Sequence, residues 1–279
     1  MKRETWISRF LKYGVAILAL GVALGPLYWL LTIALKREVD QFASPPLWFG
    51  FSPTLEHFRE AFVVKPFGPY LWNSVIVAGT STLLALLLGV PAAYSLARFR
   101  WPDGSAAKLG YWILSNRFLP PIVTIVPLFL MMRAAGLLDS PIALIIVYTG
   151  FNLPFVVWMM KSFFEEIPSE LEEAAQVDGD SRLGAMIRVT LPLVRPGLAA
   201  TAIFCLIVAW NEFLFALVLT QTEVSMTLPI GIASQVTQYE IRWGVMSAAG
   251  AVAMLPILVV SIFLQKYLVR GLSLGAVKG

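Results

Sequence analysis

The sequence predicts an all-α fold, a polytopic membrane protein with six transmembrane helices, and three observations carry that prediction. Apolar residues make up 58% of the 279 positions and charged residues only 14%, with a mean hydropathy of +0.76, too apolar for an ordinary soluble domain. A helix needs about 20 apolar residues to cross the hydrocarbon core, and six stretches qualify: 13–35, 70–97, 109–132, 142–164, 197–220 and 245–268. Lys and Arg are unequally shared between alternate loops, as the positive-inside bias requires.

The first stretch follows a basic lead-in, WISRFLKY, that anchors it to the inner surface; it is too long for the apolar core of a secretory signal and lacks a small-residue cleavage site before Lys36 and Arg37. From Lys36 to Pro69 the residues Pro45, Pro46, Trp48, Phe49, Gly50, Phe51 and Pro53 predict an irregular loop. A short amphipathic helix capped by Thr54 follows, with the only histidine, His57, as a surface residue. The second stretch contains Pro91, where it can tilt or kink, and ends in GVPAAYSLAR, whose small residues suit close helix packing. In the third, Arg117 sits inside the apolar limits, ahead of Pro120, Pro121 and Pro127. It either faces a cavity or partner, or snorkels to the interface. The fourth places Tyr148, Phe151, Asn152, Phe155 and Met159 on one helical face. The fifth contains Trp210, Asn211 and Glu212 in an aromatic setting, and a carboxylate there needs a partner or a wet wall. The single Cys205, which has no disulfide partner, is a small packed hydrophobe.

One long polar segment, 165–196, interrupts this apolar chain. Ser169 and Glu172 have the spacing of a capping box, which predicts a helix from there to about Val177. Gly179 suits the turn after it, Asp180 or Ser181 can cap a second helix carrying Leu183, Met186 and Ile187, and Pro192 closes that helix. The hairpin reads as a docking element: it is acidic on one side, and Ala174 and Ala175 leave room for another protein's backbone.

Glu173-Ala174-Ala175, three residues, Gly179, nine residues, then Val189-x-Leu191-Pro192 resembles the EAA signature of ABC importer permeases, with valine where isoleucine is common. The run WNEFLFAL and the ending GLSLGAVKG are similar to the carbohydrate-uptake branch, the relatives of the smaller maltose-transporter permease. The resemblance spans the chain. It implies a cytoplasmic coupling-helix loop at 165–196, with Glu172, Glu173, Ala174, Ala175, Asp178, Gly179, Leu191 and Pro192 meeting a separate ATPase. It also implies a cytoplasmic tail, 269–279, with Gly271, Gly275, Lys278 and Gly279 reaching the ATPase dimer interface. The implied partners are a second, different permease, an ABC ATPase dimer that binds ATP and Mg, and an extracytoplasmic solute-binding protein. Asp180, where a small residue is usual, and Ala185 and Met186, where aromatics are common, are departures that bear on the choice of ATPase.

The expected function is that of a permease subunit importing a sugar, polyol or sugar derivative by alternating access. No G-x-x-x-x-G-K-[ST] loop occurs, so no ATPase site and no cofactor or metal is expected in this chain. Arg117, Asn152, Trp210, Asn211 and Glu212 are candidates for the substrate path. The expected location is the bacterial inner membrane, multi-pass, both termini cytoplasmic. The net charge of +4 reflects inner-loop bias and calls for lipid, not nucleic acid. A permease for a non-sugar solute, such as a glycerol phosphodiester or amino acid, is the alternative. An ion-coupled carrier would carry more intramembrane carboxylates than Glu212, and an enzyme would need a nucleophile-base or metal set that one histidine and one cysteine do not supply.

Overall fold

The computed structural model describes residues 6–274. Among them the chain is helical, and its one β feature is an isolated antiparallel bridge between Val236 and Ile241. In order the helices are α1 (Trp6–Leu35), α2 (Glu38–Gln41), α3 (Glu56–Arg59), α4 (Phe67–Arg98), α5 (Ser105–Ser115), α6 (Pro121–Ala134), α7 (Pro141–Glu165), α8 (Glu170–Val177), α9 (Arg182–Ala185), α10 (Leu191–Leu193), α11 (Arg195–Trp210), α12 (Leu214–Leu219), α13 (Leu228–Ala233) and α14 (Trp243–Leu274). Four of these, α1, α4, α7 and α14, are each long and apolar enough to cross a bilayer, and the number is up to six if each of two bent pairs, Pro102–Phe118 with Pro121–Ala134 and Arg182–Leu193 with Arg195–Trp210, is one span. The chain is a helical, multi-pass membrane protein. Gly275, Lys278 and Gly279 of the expected tail lie outside the described residues, and Gly271 falls in the last turns of α14.

Two of the expected spans are not single helices. Over 109–132, α5 runs into a 3₁₀ turn, Asn116–Phe118, and α6 leaves at 93°. Pro120 and Pro121 lack the N–H that would continue the ladder, and each pushes its predecessor out of the helical region, so Leu119 and Pro120 take ψ of 122 and 130. Over 197–220, α11 ends at Trp210 and α12 restarts at Leu214. The cause is Glu212, whose carboxylate accepts from the backbone N–H of Phe215 (3.0 Å) and Ala216 (3.3 Å) and so caps a new helix. By contrast α4 runs on through Pro91.

The chain forms two compact units, 1–67 with 231–255, and 68–230 with 256–279. In the first, the loop after α1 returns over the helix end: the Thr54 N–H bonds the Leu35 carbonyl at 2.8 Å. Lys36 is not a loop charge in solvent. Its side chain is fully buried with Nζ 4.2 Å from the Trp29 ring centre and 5.2 Å from that of Phe51, and burial pushes its amine below the usual lysine range. His57 likewise corrects the surface reading. It is 5% exposed, with Nε2 2.8 Å from the Lys36 carbonyl and 2.9 Å from Gln41 Nε2. Its ring also fills the space beside Gly244, where an added Cβ would lie 2.4 Å from ring atoms.

In the second unit α7 packs along α11, α5 lies against α7, and α12 contacts both α6 and α7. Val90, Ala93, Tyr94, Leu96, Val156, Val157, Met160, Phe164, Met186, Val194 and Cys205 form its core, so Cys205 packs as a small hydrophobe. The turn between α6 and α7 is held by Asp139, a non-glycine residue at φ 58. Its carboxylate accepts from the Gln221 N–H (2.8 Å), the Thr222 N–H (2.9 Å), the Thr222 hydroxyl (2.7 Å) and the Ser225 hydroxyl. The Ser225 hydroxyl, joined by the other three donors, outweighs burial and holds the Asp139 carboxyl well below the usual carboxylate range.

Asp139→Ala should therefore release 221–225. Losing hydrogen bonds to a charged acceptor costs about 1–3 kcal/mol, expected as a lower Tm of the solubilised protein and faster amide exchange at Gln221 and Thr222. The folded pKa lies below the unfolded value of about 3.9, so this stabilisation is complete above the unfolded pKa and is lost as pH falls through the folded one. Exchange at Gln221 in the wild type, corrected for intrinsic rate, should then stay flat from neutral pH to about pH 4. Unchanged exchange in the variant would remove Asp139 as the clasp.

Candidate functional site

The 165–196 segment folds as the hairpin its punctuation predicts, with two differences. α8 ends in a Schellman motif. Gly179 takes φ 97, its N–H bonds the Gln176 carbonyl (3.1 Å), and the Asp180 N–H bonds the Ala175 carbonyl (3.0 Å). Ser181 then caps α9, its hydroxyl accepting from the Gly184 N–H at 3.0 Å, and Asp180 pairs with Arg188. After α9 comes a π turn, Met186–Thr190. Pro192 does not close this run. Helical turns continue to Leu193 because the proline falls in the first turn of α10, where its missing N–H has no partner to lose. The chain then turns by 81° into α11.

The second difference is the capping box. Ser169 has helical dihedrals and its hydroxyl makes no cap bond, because Glu172 is turned away from it. Glu172 is 4% exposed. Its Oε1 accepts from Arg98 Nε (2.8 Å) and the Thr190 hydroxyl (2.8 Å), and its Oε2 accepts from the Tyr94 hydroxyl (2.6 Å). Arg98 Nη2 also reaches the Ile167 carbonyl at 2.6 Å. Burial alone would raise the Glu172 carboxyl, but the three donors and the guanidinium charge hold it below the usual carboxylate range. Glu172 is thus an internal anchor and not part of the exposed face. Tyr94, Arg98 and Thr190 were not singled out from sequence. The available signal was that Tyr94 and Arg98 stand four apart at the end of a span, on one face next to a polar loop.

The face that remains outward carries Glu173, Ala174, Val177, Asp178 and Gly179, followed by Leu183 and Ile187, all exposed. Ala175 is half-buried. Leu191 and Pro192 are half-buried too, with Leu191 packed on the core. The outward face is thus an apolar strip, Ala174, Val177, Leu183 and Ile187, rimmed by the acidic Glu173 and Asp178.

Of the substrate-path candidates, the structure gathers some and separates others. Arg117 lies in the turn between α5 and α6, exposed, its guanidinium 4.8 Å from the Phe155 ring centre and its Nη1 3.5 Å from the Phe151 carbonyl. Glu212 has the partner its setting requires: it accepts from the Tyr148 hydroxyl at 2.6 Å. The Phe151 ring lies 4.7 Å from that of Phe215, tilted by 43°, just beyond Glu212. One face of α7, Tyr148 to Phe155, therefore meets both polar groups. Asn211 is exposed and bonds the Ile207 carbonyl at 2.8 Å. Asn152, 1% exposed and bonded to the Cys205 carbonyl at 3.3 Å, and Trp210, 7% exposed, are instead buried in the packing.

A multi-pass helical protein with one long polar loop folded into a hairpin, and polar groups held along one face of an apolar helix, belongs to the class of solute permeases. The comparisons agree. The chain belongs to the family described as the binding-protein-dependent transport system inner membrane component, which matches residues 85–274. It is 38% identical to a sulfoquinovosyl glycerol transport system permease protein of Agrobacterium fabrum, over 96% of this chain and 94% of that one. It is 36% identical to a trehalose transport system permease protein of Mycobacterium tuberculosis, over 94% and 95%. A diacetylchitobiose uptake system permease protein of Streptomyces coelicolor is 34% identical over the full length of both. Among solved structures, a bacterial ABC transporter involved in import of the acidic polysaccharide alginate superposes with a TM-score of 0.78, covering 96% of this chain and 100% of that one. At 22% identity that likeness shows the fold. The chain is a transport component, an ABC importer permease.

Gly179→Val places a β-branched residue at φ 97 and should cost about 1 kcal/mol or more, opening the hairpin. Trypsin should then cut at Arg182 or Arg188 several-fold faster than in the wild type, while insertion is normal; equal protection would mean the turn does not need glycine.

Proposed function

We propose that this chain is one of two different permeases in a sugar importer, moving a sugar, polyol or sugar derivative by alternating access. The observation that carries the reading is that relatives aligned over nearly the whole chain are named for a sugar glycerol conjugate, trehalose and diacetylchitobiose. A family that depends on a binding protein supports an extracytoplasmic solute-binding partner. With no phosphate-binding loop in its sequence, the chain takes its energy from an ABC ATPase dimer that holds ATP and Mg. The exposed strip Glu173, Ala174, Val177, Asp178 and Gly179 docks in that ATPase, and the tail with Gly271, Gly275, Lys278 and Gly279 adds to the contact. Arg117, Asn211 and Glu212, beside the aromatic face of α7, line the solute path, where hydroxyls need polar partners and sugar faces need rings. Asn152 and Trp210 support that wall from behind.

The loops with the most Lys and Arg place both termini and 165–196 in the cytoplasm. Cysteine in place of Val224, 80% exposed between α12 and α13, should react with an impermeant thiol reagent in intact cells. Cysteine in place of Lys108 should react only after permeabilisation. The reverse pattern would invert the topology.

The functional test is to purify the chain with its co-encoded permease, ATPase and binding protein and to reconstitute the complex in liposomes. ATP-dependent uptake of radiolabelled trehalose, diacetylchitobiose or a related glycoside is expected. Uptake that follows an ion gradient without ATP, with no ATPase retained, would replace this reading with a secondary carrier.

A further inference from the structure

Three parts of one unit meet at the Glu172 carboxylate, and a fourth is joined to it through Arg98. The carboxylate belongs to α8. Tyr94 and Arg98 bring the last turns of α4 to it, Thr190 brings the π turn after α9, and Arg98 carries the contact on to Ile167, just beyond α7. The side chains of Glu172 and Arg98 are only 6% and 13% exposed, so most of their contacts are with protein. Arg98 also sits in the last turn of α4, where the helix dipole favours a cation.

Successive residues on a helix point about 100° apart, and here the two neighbouring glutamates divide the work. Glu173 faces outward while Glu172 faces the membrane helices. Apolar contacts alone could slide with little loss, because dispersion has no direction. Bonds of 2.6–2.8 Å to a charged acceptor are directional, and a shift of about 1 Å weakens all three together.

We propose that Glu172 is a positioning residue that couples the docking hairpin to α4 and α7, so that a displacement of α8 is delivered to the membrane helices instead of being absorbed in the loop. This rests on the reading of the hairpin as the ATPase contact and adds to it the internal link through which the contact acts. A cavity of about 470 Å³, lined by Tyr94, Arg98, Arg100, Glu172, Glu173 and Arg182 among others, opens beside the carboxylate. The hairpin thus meets the membrane helices in two ways, through Met186 in the shared apolar core and through the polar link, and of the two the polar link is the directional one.

The experiment uses the whole reconstituted transporter and reads ATPase retained per permease, ATP hydrolysed and solute imported. The decisive variant is R98M/E172M. Replacing a buried ion pair by apolar residues of similar size commonly preserves stability. ATPase retention and Tm should match the wild type, while ATP hydrolysed per solute imported should rise about tenfold, the size of an ordinary coupling term. Glu173→Gln, on the docking face, should instead weaken retention of the ATPase.

Wild-type import by R98M/E172M at an unchanged ratio would make the cluster a fold element only, and loss of the ATPase from this variant would make Glu172 a docking contact; either overturns the proposal. Should the double variant fail to fold, Tyr94→Phe and Thr190→Val each remove one hydroxyl from the carboxylate. Each should raise the ratio severalfold, and an unchanged ratio in both would overturn the proposal as well. A wild-type complex without ATP-driven import would fail the functional reading itself, whatever these variants do.

Discussion

A carboxylate taken out of water must be matched by donors at short range, and at Glu172 that requirement organises the polar half of the molecule. The charge is stable there only if Arg98, Tyr94 and Thr190 all arrive. That in turn fixes where α4 ends, which face α8 shows inward, and why the chain after α9 widens into a π turn that delivers Thr190. The same demand explains the unused capping box. Glu172 could satisfy a backbone N–H at its own helix start, but a buried guanidinium and two hydroxyls offer it more. What is then left outside, Glu173 to Gly179, is defined by what was taken inside.

The bilayer imposes the complementary rule within the spans, where every interrupted backbone group needs a substitute partner. Both interruptions show how this is met. At Pro120 and Pro121 the missing N–H groups coincide with the start of α6, where none is needed. At Asn211 to Phe213 the Glu212 side chain supplies the acceptors for α12, and the Tyr148 hydroxyl covers the charge. Breaks made this way bring polar side chains and helix ends in among apolar helices, which an unbroken helix does not do. They also explain why the polar groups of the fourth and fifth stretches cluster there.

Much of this was legible in the sequence, because it depends on local chemistry. The apolar runs marked the membrane segments, Gly179 with Ser181 marked the hairpin, and Cys205 read as packing. The misreadings of Glu172 and His57 share one cause: partners far away in sequence. Nothing near Glu172 announces Arg98, 74 residues earlier. His57 read as a surface residue because its neighbours are polar, yet it fills the space at Gly244, and Lys36, at the start of the same polar loop, lies against Trp29 and Phe51. Pro192 misled in the other direction. It was read as a stop, whereas its effect depends on whether a helix begins or continues at that point.

These burials differ in kind, and the difference bears on which can move. Asp139 and Glu172 are each held by several donors at once, so each joins chain segments into a piece that shifts as a whole. Lys36 is held by ring faces, an attraction that tolerates small changes in distance and angle. Machinery driven by a separate subunit needs stiff joints where motion enters and compliant contacts elsewhere. For the ATPase-driven motion proposed above, a multiply bonded carboxylate at the base of the hairpin is the stiff kind of joint, and an aromatic-caged amine at the end of α1 is the compliant kind.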